Sequence, residues 1–215
     1  LQKKTMELFL ATFGALFSIM NPLGTVPVFV GLSLENTKKE RAVIAFWTSL
    51  NACIILLLSF FAGKYILSFF GISIDALKIA GGLIIASSGF ALLTGKFAEH
   101  KGMKRKRVEE DIRSRNEISL TPLAIPMLAG PGTISLLITY NQEFQELEDK
   151  GIIIGALLFT TICIYLILKS SYLIVKFLGA SGINALSRII GFIVIAIGIE
   201  YIISSVVNII THLNL

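Results

Sequence analysis

Charge is scarce in this chain: Asp, Glu, Lys and Arg together make up 15% of its 215 residues, against 54% hydrophobic. A soluble domain of this length cannot hide so much apolar surface. Cysteine and histidine are also nearly absent, with two of each. Cys53 and Cys163 fall inside apolar runs and form no C-x-x-C pair, so they read as small core hydrophobes and leave disulfide and metal chemistry without ligands. His100 stands in a loop and His212 in a tail, which removes histidine-based membrane catalysis. No Gly-rich phosphate loop and no nucleophile elbow occurs. The expectation is a protein that is not an enzyme and has no cofactor and no metal.

What the chain has instead is a series of apolar runs long enough for a bilayer, since about 20 helical residues cross a hydrocarbon core roughly 30 Å thick. Six spans are predicted, over 6–33, 42–62, 74–95, 119–140, 151–171 and 183–210. The first is too long for a signal peptide and lacks a small-residue cleavage site, so it stays in the protein. The opening residue, Leu1 in place of Met, is what a trimmed N-terminus would show.

Orientation follows from the 19 Lys and Arg. Lys38, Lys39, Arg41, the basic run from Lys96 to Arg115, Lys169, Lys176 and Arg188 fall on one side; Lys3, Lys4, Lys64, Lys78 and Lys150 fall on the other. The positive-inside rule then places both termini outside a cell (plasma or inner) membrane. The basic loop KGMKRKRVEEDIRSR reads as a solvated cytoplasmic linker touching anionic lipid headgroups of the bilayer. It lacks interleaved aromatics and a binding fold, so no nucleic acid is expected as a partner.

The chain also repeats itself. SIDALKIAGGLIIASSGFALL aligns 109 positions later with GINALSRIIGFIVIAIGIEYI, with Ile74/Ile183, Ala76/Ala185, Leu77/Leu186, Gly82/Gly191, Ile84/Ile193 and Gly89/Gly198 in register. Phe69 and Gly71 match Phe177 and Gly179 at a shift of 108, and Gly24-Thr25 meets Gly132-Thr133 at the same shift. Three spans per copy is an odd number, so the second copy enters from the opposite side. The predicted fold is an all-α integral membrane protein of six transmembrane helices. It is a three-plus-three inverted-topology repeat with discontinuous helices one and four. Residues 1–95 form the first repeat, 96–118 the linker and 119–215 the second repeat. Asp75 and Asn184 are expected as matching N-caps.

Spans one and four occupy corresponding positions and both contain helix breakers, at Asn21-Pro22-Leu23-Gly24 and at Ala129-Gly130-Pro131-Gly132. Proline removes an N–H and glycine admits left-handed backbone, and the freed polar groups must find protein, water or ligand. Paired breaks at symmetric positions point to a substrate site in a secondary transporter. Each break exposes a half-helix N-terminus rich in N–H groups and a C-terminus rich in C=O groups. A small zwitterion suits them: its carboxylate on amides near Gly24-Thr25 or Gly132-Thr133, its ammonium on carbonyls near Ile19 to Asn21 or Leu128 to Gly130. The candidate substrate-binding residues are Asn21, Pro22, Gly24, Thr25, Gly130, Gly132 and Thr133. Asn51 and Thr160, equivalent at the 109 shift, are expected to line the same cavity. Ser87 and Ser88 read as helix-packing residues, and Lys169 and Arg188 as snorkelling ones. Glu200, a carboxylate inside span six, is the proton-coupling candidate.

The N-P-x-G-x-x-P-x-F pattern at Asn21, Pro22, Gly24, Pro27 and Phe29, together with PLAIPMLAGPGTI from Pro122 to Ile134, resembles the MarC/SnatA family across essentially the whole chain. That resemblance implies a proton-dependent transporter of small neutral amino acids, glycine and alanine above all, with spans one and four discontinuous. It does not settle which residue carries the proton, nor the oligomeric state. Export of amino acids or small metabolites is the alternative within transport. A non-transporting scaffold or sensor, in which the basic loop matters more than Gly24 and Gly132, is the alternative outside it.

Overall fold

The computed structural model describes residues 2–34, 36–95 and 123–213. The basic linker and the start of the expected fourth span lie outside the described residues. Nearly everything described is helical, and no strand occurs among the described residues.

The first helices, α1 (Gln2–Met20) and α2 (Pro22–Leu32), meet at Asn21. A capping box opens α3 (Lys38–Phe70): Glu40 N donates to Thr37 Oγ1 at 3.3 Å and Thr37 N to Glu40 Oε2 at 2.8 Å. Gly71 closes it in the left-handed region at φ 64°, with Ile72 N donating back to Leu67 O. Helix α4 (Ile74–Leu93) follows. A π-helical turn over Leu123–Leu128 leads through Ala129 and Gly130 into α5 (Pro131–Glu143). The chain continues as α6 (Leu147–Lys169) and α7 (Ser171–Leu213), the last interrupted at Gly179, φ 64°. Gly71 and Gly179, paired by the 108-residue shift, both have positive φ but part at ψ, 26° against 173°, so only Gly71 is a left-handed helix cap.

The expected caps need correction. Ser73 caps α4, accepting from Ala76 N at 3.1 Å, while Asp75 sits in the first turn and accepts from Asn208 Nδ2. Asn184 lies within α7 beyond the Gly179 interruption and caps nothing. The reason is local: a hydroxyl preceding the first helical residue reaches the N3 amide, which a side chain already in the turn cannot.

Among the described residues five segments are long and apolar enough to span a bilayer: Lys3–Leu32, Lys38–Phe70, Ile74–Leu93, Leu147–Lys169 and Ser181–His212. At 33 residues, α3 measures about 50 Å and overruns the hydrocarbon core unless tilted. Around the second break the described residues hold a π turn and a 13-residue helix, the helix alone being too short to cross. Large apolar side chains cover the outside, among them Phe69, Leu173 and Phe177. Facing hydrocarbon, these need no protein partner.

Helices in lipid gain no hydrophobic drive to associate and rely on close packing. The broadest packing is α4 on α7. A Cβ on Gly82 would stand 2.5 Å from Gly198 O, and one on Gly89 would stand 2.7 Å from Gly191 O. The two helices therefore run antiparallel with backbone against backbone. The 109-residue shift exchanges one of these contacts for the other.

Gly82→Val is expected to destabilise the purified protein by about 1–3 kcal/mol, the usual cost of overpacking. Gly14→Ala, where a Cβ would meet nothing within 4 Å, should leave the midpoint unchanged or raise it slightly. Thermal unfolding of both variants in one detergent checks the pair, and equal midpoints would contradict the close approach.

Candidate functional site

Asn21 is the only non-glycine residue with positive φ among the described residues, at φ 42° and ψ 66°. Asparagine tolerates this region better than most side chains. Its Oδ1 accepts from Gly24 N at 3.3 Å, and its backbone oxygen accepts from both Thr25 N, at 3.3 Å, and Thr25 Oγ1, at 3.2 Å. Pro22 at the first helical position has no N–H to strand. The first break is therefore self-capped. One group is left over: Asn21 Nδ2 is buried with no hydrogen-bond partner among the described residues. A Cβ on Gly24 would overlap that amide, so the glycine faces Asn21.

The second break is built differently. The π turn ends with Ala129 N donating to Ala124 O at 2.8 Å, a five-residue step. Gly130 occupies the cap position of α5 in extended backbone and has no side chain with which to cap it. Pro131 takes the first helical position, as Pro22 does in α2. Thr133 Oγ1 reaches back to Leu128 O at 3.2 Å, and Ile134 N donates to Gly130 O at 3.0 Å. Gly132 and Thr133 are buried. The start of α5 thus presents an uncapped positive helix end in a buried setting.

The two breaks are neighbours: a Cβ on Gly132 would stand 3.7 Å from Ile19, two residues before Asn21, and 2.9 Å from Ile85 on α4. Several expected ligand contacts are already used within the protein. The Gly24 and Thr25 amides are bound by Asn21, and the carbonyls of Asn21, Leu128 and Gly130 accept internal bonds. At the start of α5, where the Gly132 and Thr133 amides stand, no side chain caps the helix among the described residues.

Asn51 and Thr160 are not drawn in by hydrogen bonds to either break among the described residues. Asn51 is half-buried on α3, and Thr160 donates to Ala156 O of its own helix at 2.7 Å. Glu200 is exposed on α7, beside the buried Tyr201, and stands apart from the breaks.

Two features escaped the sequence reading. A cavity of about 200 Å³ opens beside the first break, lined by Gly24, Pro27, Leu92, Asn184, Ser187 and Arg188. Lys78 on α4 forms an ion pair with Glu143 at the end of α5, at 2.5 Å. The 109-residue register holds a signal for both, because it pairs Lys78 with Ser187, but it does not say what either touches.

Comparison with known proteins meets the same residues. The family model described as MarC family integral membrane protein matches residues 6–210, taking in both breaks. The chain belongs to the MarC family. It is 37% identical to a UPF0056 membrane protein of Methanocaldococcus jannaschii over 94% of this chain and 97% of that one. It is 35% identical to the UPF0056 membrane protein YhcE of Escherichia coli, over 90% and 89%. The UPF0056 inner membrane protein MarC of Salmonella paratyphi B is 34% identical over 91% and 92%. No solved structure matches the chain. This MarC family member is thus a multi-pass integral membrane protein.

Asn21→Gly should keep the fold within about 1 kcal/mol, since glycine adopts positive φ freely and loses only the side-chain cap. Asn21→Val should cost about 2 kcal/mol or more, because a β-branched residue there is an outlier. Thermal midpoints of the two variants separate these effects; equal midpoints would mean that backbone angle does not select asparagine.

Proposed function

We propose that the protein is a secondary transporter of small neutral amino acids such as glycine and alanine, driven by the proton gradient. It works by alternating access between two inverted three-span halves. The observation that carries this reading is the uncapped, buried N-terminus of α5 at Gly130-Pro131-Gly132-Thr133, set against a first break with an unpartnered Asn21 amide. A carboxylate on the Gly132 and Thr133 amides gains up to ~2 kcal/mol from a partly buried helix end. The ammonium then takes carbonyls from Ile19, Met20 and Ala129. No side-chain charge is required, which suits a neutral zwitterion.

Support for the inverted repeat comes from the exchange of Gly82–Gly198 with Gly89–Gly191 under the 109-residue shift. On this reading the π turn and α5 complete a sixth, discontinuous span, and the first span is α1 and α2 broken at Asn21. The lysine and arginine distribution puts both termini outside. Catalysis plays no part, and Glu200 is the candidate proton carrier at the α7 surface.

Purified protein in liposomes, without sodium, should accumulate labelled glycine when a proton gradient is imposed, and alanine should compete. Gly132→Val should reduce uptake at least about tenfold, since its side chain would strike Ile85 and screen the amides. Glu200→Gln should abolish the dependence on the gradient while leaving glycine exchange. No glycine movement under any gradient, in folded protein, would remove the reading.

A further inference from the structure

The 109-residue register maps the cavity beside Gly24 onto a region bridged by an ion pair, next to a cavity of about 390 Å³ lined by Lys64, Ile74 and Gln142. Leu92 corresponds to Tyr201, Ser187 to Lys78 and Asn184 to Asp75, while Pro27 corresponds at 108 to Ser135. In the bridged region Lys78 Nζ pairs with Glu143 and lies 5.5 Å from the Tyr201 ring centroid. The Lys78 side chain is only 12% exposed. Ser135 Oγ donates to Leu77 O at 3.2 Å, tying α5 to α4. Gly81 makes this approach possible, because a Cβ there would overlap Ser135. At the other mouth the equivalent described positions differ: Ser187 stands for Lys78, Leu92 for Tyr201, Pro27 for Ser135 and Ile190 for Gly81, and the charge there is that of Arg188.

We propose that the Lys78–Glu143 ion pair, covered by Tyr201, is the gate on the side of the termini, and that the Gly24 cavity is the opposite, open mouth of the same pathway. This rests on the inverted-repeat reading given under the proposed function. The two mouths are related by the pseudo-two-fold, but their side chains are not. One mouth has a charge pair and a glycine that lets α5 approach α4; the other has Ile190 at the glycine's place and no charge at that of Lys78. The protein is therefore biased toward the state open at Gly24. Moving to the other state requires breaking the partly buried pair, so removing either charge shifts the population toward opening on the Lys78 side.

The test reads water access. In a background with Cys53→Ala and Cys163→Ala, Thr139→Cys reports the shut side: Thr139 is fully buried, one helical turn before Glu143. The probe is a membrane-impermeant maleimide applied to both faces of the reconstituted protein. Thr139→Cys should label slowly with the pair intact. Lys78→Met or Glu143→Gln should each raise its rate about tenfold, and the double variant should add little, because the two charges act as one unit. Asn184→Cys, in the open cavity, should label readily and slow when the pair is removed. Unchanged Thr139→Cys labelling in variants that elute as folded protein would overturn the gate, as would additive effects of the two charges. Labelling needs no substrate, so absent glycine uptake with the expected labelling would reject the transport reading while keeping the gate.

Discussion

The contact on which the rest of the structure depends is the backbone-to-backbone approach of α4 and α7 at Gly82, Gly89, Gly191 and Gly198. In a bilayer, helices associate through packing and hydrogen bonds, and only small residues bring backbones this close. The four glycines occupy two pairs that the repeat exchanges, so the contact is self-consistent under the same shift that relates the sequence halves. Midway between the pairs lie Ile85 and its equivalent Val194, both fully buried. Ile85 in turn faces Gly132, which seats the start of α5 on the central helix pair. Backbone packing at the centre therefore fixes the position of the second break.

Each break meets the same problem, polar backbone groups at the middle of a membrane-spanning chain, and meets it in a different way. At the first, Asn21 takes a left-handed angle and caps Gly24 with its own side chain. At the second, a π turn spends one extra residue, Gly130 offers no cap, and the amide end of α5 stays open. One break is a finished structural element with a single spare donor, Asn21 Nδ2; the other presents the stronger positive pole.

The same pattern, a symmetric frame carrying unequal side chains, recurs at the two mouths. Ser135 and Gly81 draw α5 onto α4, and Lys78 closes with Glu143 across 65 residues of sequence. Pro27, Ser187 and Leu92 line a cavity at the equivalent place.

Composition and periodicity were enough to read off the membrane class, most helix extents and the Pro/Gly positions at which the helices are interrupted. These depend on residues near one another in the chain: apolar runs, Pro and Gly, and spacing. Caps were legible only in part, since Asp75 and Ser73 are both good capping types and only helix entry geometry chose Ser73. What the sequence could not show was that Asn21 would cap Gly24, that the Gly132 amides would be the ones left open, that Glu200 would face outward, or that Lys78 would find Glu143. Those outcomes depend on distances between side chains set by helix rotation and crossing. A helix turns about 100° per residue, so a small rotation fixed by packing at four glycines decides which polar group meets a partner and which stays free.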